Sequence, residues 1–173
     1  MRQREYAKTA ALAVGMIVLA VQALRSIGLL PGGVWVSGLA VGTPWWARLL
    51  HPFIHAGMGH ALLNVYVLWQ LVFFFHIRLR HLFFAYVVAC LCPAGWAGWS
   101  IVTLPAGIPV VGLSGILYVL MGGVMTRVER KARFNAVIMG WTAFATVMGG
   151  VAVGLHLYAY AVGALSAMLV RRR

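Results

Sequence analysis

The chain has 173 residues, of which 63% are hydrophobic and only 9% charged, with a mean hydropathy of +0.93. That balance excludes an ordinary soluble domain, and at about 20 residues per span it leaves room for six or at most seven membrane crossings. The formal charge of +12 does not describe a nucleic-acid surface, because the basic residues stand in short clusters between apolar runs and form no single patch.

In chain order, apolar segments at 7–24, 56–75, 82–104, 113–126, 134–151 and 153–170 predict six helices, an all-α polytopic fold forming one integral-membrane domain over 1–173. The first segment has the basic flank of a signal peptide. No small-residue cleavage site follows it before Arg25, so a retained span is expected. Basic residues cluster at Arg2, Arg4 and Lys8, at Arg78 and Arg80, at Arg127, Arg130, Lys131 and Arg133, and at Arg171, Arg172 and Arg173. Six spans put all of these on one side and leave only Arg25 and Arg48, of 14 Lys and Arg, on the other; both termini are therefore expected in the cytoplasm. The long connection 25–55 then faces outside. Its Trp35, Trp45 and Trp46, with Trp96 and Trp99 further on, predict a loop resting in the interfacial zone. Pro93 is expected as a tolerated kink in the third span. Cys90 and Cys92, two apart on one helix, point away from each other and suggest neither a disulfide nor a metal pair.

Three spans carry polar residues that an apolar bundle does not need: His60 and Asn64 in the second, Ser114 in the fourth, His156 in the sixth. Counted at 1.5 Å per residue from the basic end of each span, Asn64, Ser114 and His156 lie at roughly 21, 20 and 22 Å, a common depth about 10 Å below the outer surface of a 30 Å core. From Ser114 to Arg127 the fourth span is too short to cross alone. The preceding loop, with Pro105, Gly107, Pro109 and Gly112, is therefore expected to descend to a water-accessible pocket. Aspartate is absent and the two glutamates, Glu5 and Glu129, fall on the basic side, so a Ser-His-Asp triad, an aspartyl dyad and an HExxH zinc site are all excluded. A Ser-His dyad remains. Ser114, between Gly112 and Gly115 at a helix start, is the candidate nucleophile and His156 the candidate base; His60, Asn64 and the Ser114 N–H are candidates for an oxyanion hole. Tyr118, one turn below Ser114, is placed to pack on His156. Other readings stand beside this one. A GxSG stretch is also ordinary small-residue packing between membrane helices, and His51, His55 and His60 could ligate metal or haem, although interfacial histidines more often hold backbone.

The spacing H-x3-H-x4-H-x3-N at His51, His55, His60 and Asn64, the Gly112-Leu113-Ser114-Gly115 motif, the run Tyr118 to Gly122, and a histidine in the last span together resemble the rhomboid intramembrane serine proteases in their six-helix bacterial form. The resemblance implies a rhomboid-like bundle in the bacterial inner membrane that cuts single-span membrane proteins near the outer face, with Ser114 as nucleophile, His156 as base, His60 and Asn64 in the oxyanion hole, and no cofactor. It also implies that the fifth helix and the loop after it gate the site. The chain departs from the family pattern at Trp46-Ala47-Arg48, where Trp and Arg are not adjacent, at Ala159, in lacking an acidic residue past the second span, and in the short loop 148–154. A catalytically silent relative that binds membrane clients is the alternative.

Overall fold

A computed structural model describes residues 2–30, 44–93, 110–147 and 152–171. These form seven α-helices: α1 (Arg2–Ser26), α2 (Trp45–Leu50), α3 (Met58–Phe74), α4 (Leu79–Cys90), α5 (Ser114–Met125), α6 (Lys131–Val147) and α7 (Val153–Arg171), with a 3-10 turn at His51–Phe53. Of the expected features, Trp35, Trp96, Trp99, the loop with Pro105, Gly107 and Pro109, and residues 148–151 lie outside the described residues.

Among the described residues, α1 and the stretch Val153–Val170 of α7 are long and apolar enough to cross a membrane, and the number rises to three if Trp45–Phe53 and Met58–Phe74, bent by 83°, are one broken span. Large apolar side chains such as Phe74, Phe83, Trp141 and Leu169 are exposed on the outside of the bundle, the arrangement that a hydrocarbon solvent rewards and water does not.

The boundaries differ from the hydropathy reading where local chemistry intervenes. α1 starts at Arg2, several residues before the apolar run, because Glu5 sits in its first turn and bonds Lys8 at 3.0 Å, a pairing that suits a helix amino end. α4 is a correction at its end: of the apolar run 82–104, the part up to Cys90 belongs to helix Leu79–Cys90, residues 94–104 lie outside the described residues, and Pro93 follows the helix instead of kinking it. A proline at 93 removes an N–H and disfavours helical backbone at Cys92, so the helix stops before it. The connection 25–55, expected as an outer loop, contains α2 and the 3-10 turn, with Trp45 on the surface.

α5 is the hub. It is packed most closely by α7, then by α4, and also touches α3 and α6; every residue from Gly115 to Leu120 is buried. α1 lies against α3, fastened by a 2.9 Å bond from the Trp69 indole N–H to the Ala11 carbonyl. The two arginines at the sparsely charged end have structural partners. Arg25 donates to the His55 carbonyl at 2.9 Å, and Arg48, buried, donates to the Cys92 carbonyl at 3.1 Å, joining α2 to the end of α4. Cys90 and Cys92 are both buried.

Candidate active site

α5 begins at Ser114, directly after Gly112 and Leu113. Gly112 has a φ of +109°, and a Cβ there would stand 3.0 Å from the His60 ring and 3.3 Å from the His55 ring, so both backbone and space call for glycine. The chain ahead of the serine is clamped from the α2–α3 connection. The Gly112 N–H donates to the His51 carbonyl at 2.9 Å and the Leu113 N–H to His55 Nε2 at 3.3 Å. An Nε2 that accepts carries no proton, so His55 is a neutral imidazole. His51 in turn donates from Nδ1 to the Arg48 carbonyl at 2.7 Å. These histidines hold backbone, and no cluster with metal-ligating geometry occurs among the described residues.

Across the bundle, α7 carries His156 into the start of α5. Its Nε2 lies 2.8 Å from Ser114 Oγ. The imidazole is stacked on the Tyr118 ring, with centroids 4.2 Å apart and planes 4° from parallel. Tyr118 is itself fixed through its hydroxyl to Thr142 on α6, and Thr142 donates to the Ile138 carbonyl at 2.8 Å. The chain has no aspartate to orient the imidazole, the Tyr118 face lies against the ring instead, and His156 Nδ1 has no hydrogen-bond partner among the described residues. Gly115 lets α4 and α7 close in, since a Cβ there would touch Ala89 and Leu155 at 3.3 and 3.4 Å.

His60 packs edge-on against His55 with ring centroids 5.0 Å apart, on the Gly112 side of the serine. Asn64, buried, uses one amide hydrogen within its own helix, donating to the His60 carbonyl at 3.0 Å. The structure thus joins Ser114, His156 and Tyr118 directly and groups His60 with Gly112, while the bond that Asn64 makes is to its own helix. Thr142 and Asn135, the latter bonded to the Tyr160 hydroxyl, were not singled out from the sequence. Both are polar residues in an apolar span, the same signal that marked His60 and Ser114.

An all-helical bundle with a lipid-compatible exterior, enclosing a serine and a histidine in hydrogen-bond contact, defines an integral membrane protein with polar chemistry inside it. The family model for the rhomboid domain matches residues 42–173, three quarters of the chain, and the protein belongs to the rhomboid family. No curated protein matches it.

Proposed function

We propose that the protein is a serine endopeptidase that hydrolyses peptide bonds in or near the transmembrane segments of single-span membrane proteins, using Ser114 and His156. The observation that carries this reading is the 2.8 Å contact between Ser114 Oγ and His156 Nε2. In the resting site the serine hydroxyl donates to Nε2. On attack, Nε2 takes that proton as Oγ bonds the substrate carbonyl carbon, and the carbonyl oxygen becomes an oxyanion facing the first turn of α5, where the Ser114 N–H has no acceptor within the helix. The imidazolium then protonates the departing amine as the C–N bond breaks. Water, deprotonated by the same nitrogen, hydrolyses the acyl-serine and restores the serine hydroxyl. His60 and Asn64 complete the oxyanion hole once substrate is bound. No cofactor takes part.

The wider setting is part of the same proposal: a single domain over 1–173 with six crossings, both ends of the sequence in the cytoplasm, in a bacterial inner membrane. The asymmetry of the basic clusters supports that orientation.

A fluorophosphonate probe tests the reading, because it bonds only an activated serine. Labelling of the reconstituted protein is expected, vanishing in Ser114→Ala and falling sharply in His156→Ala. A folded wild type that takes no label would instead favour a client-binding relative without proteolysis. Tyr118 gives a graded result. The stacked ring orients the imidazole and stabilises its cationic form by about 0.5–2 kcal/mol, so Tyr118→Leu should slow peptide cleavage by about tenfold, whereas Tyr118→Phe, which keeps the ring, should cost less. Cleavage rates of a single-span reporter in liposomes compare the two.

A further inference from the structure

Two tyrosine hydroxyls tie α6 to the bundle. Asn135 bonds the Tyr160 hydroxyl of α7, and Thr142 bonds the Tyr118 hydroxyl of α5. The two polar residues are seven apart, two turns along one face of α6 with buried Ile138 between them, whereas Val137, Trp141 and Phe144 are exposed. One of these tethers leads to the candidate base. The Tyr118 ring that Thr142 holds lies flat on the His156 imidazole, with centroids 4.2 Å apart, and Tyr118 and Thr142 are both buried. Asn135 holds a different ring.

The hydrogen-bond order fixes which way the protons run. Thr142 Oγ1 has one hydrogen and gives it to the Ile138 carbonyl, 2.8 Å away, an acceptor that cannot donate in return. The bond between the two hydroxyls is therefore filled by the Tyr118 hydrogen, with Thr142 accepting. Held by its own helix, the threonine oxygen is a fixed anchor for the phenol. A phenol that donates also gains electron density at its oxygen and ring, because hydrogen bonds in a chain polarise one another, and an electron-rich face favours a cation lying on it. We propose that Thr142 is a positioning residue for His156: acting through Tyr118, it sets the plane of the imidazole that takes the Ser114 proton and favours the positive charge that develops there. This role rests on the Ser114–His156 reading of the site, and Thr142 acts at one remove from the reacting atoms.

Steady-state cleavage of a single-span reporter by the full chain in liposomes, with the rate of fluorophosphonate labelling measured alongside, provides the test. Thr142→Val, which keeps the shape and removes the hydroxyl, should lower kcat by about fourfold with KM unchanged and slow labelling in step. Thr142→Ser should restore both. Tyr118→Phe breaks the same bond from the other side and should also cost about fourfold; the double variant Tyr118→Phe/Thr142→Val should be no slower than the worse single one, where independent effects would multiply to about sixteenfold. Asn135→Leu, which cuts the other tether, should leave kcat within about twofold of wild type. A wild type that takes no label removes the reaction, and this role with it. A wild type that labels and cuts while Thr142→Val keeps its full kcat, a Thr142→Ser that fails to recover, a multiplicative double variant, or an equal loss in Asn135→Leu would each overturn the role of Thr142 alone. If Thr142→Val does not fold because it strands the phenol, Tyr118→Phe compared with the double variant decides, since neither leaves that hydroxyl buried without an acceptor. Equal kcat is then expected, and a further fall in the double variant refutes the relay.

Discussion

Ser114→Ala should reduce cleavage of a single-span reporter by about 10⁴- to 10⁶-fold, and His156→Ala should do nearly the same. The two groups meet at 2.8 Å and, in the proposed mechanism, act in one proton transfer, so that neither is useful alone. Without the hydroxyl no acyl intermediate forms. Without the imidazole the hydroxyl keeps its proton and the leaving amine departs unprotonated. The sharper expectation is non-additivity: the double variant should be no slower than the worse single one. Single-turnover rates in liposomes, with helical content checked by circular dichroism, decide this. A Ser114→Ala protein cutting within tenfold of wild type would remove Ser114 from the chemistry.

The second large effect is on stability, where α5 crosses α7. A Cβ on Gly122 would overlap the Tyr160 carbonyl oxygen and stand 2.8 Å from the Ala164 nitrogen; one on Gly163 would overlap the Val119 carbonyl oxygen and stand 2.8 Å from its carbon. These are backbone atoms with no flexible end to yield, so the helices themselves must part. Gly122→Ala or Gly163→Ala should therefore destabilise the fold by about 3 kcal/mol, at the upper end of overpacking costs. The two should combine less than additively, since both open the same crossing. Because α7 also carries His156, a separation of about 1 Å transmitted to the site would slow cleavage by about 10²-fold even in the folded fraction. Gly140→Ala is the contrast. Nothing lies within 4 Å of its added carbon, and a gain of about 0.5–1 kcal/mol is expected from reduced chain entropy. Denaturation in mixed micelles would reveal both signs, and equal stability of all three variants would refute the crossing as the critical contact.

Much of the site was legible because membrane burial makes polarity conspicuous. In a chain without aspartate, a hydroxyl and an imidazole at matched depths left few chemistries to choose from, and Tyr118 followed from helical spacing. Hydropathy was a poorer guide to helix ends. It carried the third segment through Pro93, where backbone sterics end α4 at Cys90, and it missed α2, whose six residues are too short to show a period. That His51 and His55 hold backbone was the expectation, but which backbone they hold was hidden for another reason. They act on amides some sixty positions away, Gly112 and Leu113, and spacing in sequence says nothing of such pairings. Thr142 was passed over because a lone threonine can bond its own helix, as it does here while also meeting Tyr118.

The histidine clamp on the chain ahead of α5 has a bearing on inhibitor design. The first turn of a helix offers four amides without internal acceptors, here those of Leu113 to Ile116, and His55 already occupies the first. A boronate or phosphonate built to mimic the tetrahedral adduct of the proposed reaction therefore meets the Ser114 N–H as the first amide past the clamp. Under the proposed chemistry, selectivity against serine hydrolases with a carboxylate-based triad is better sought in the flat aromatic stack behind the imidazole, which such a triad does not present.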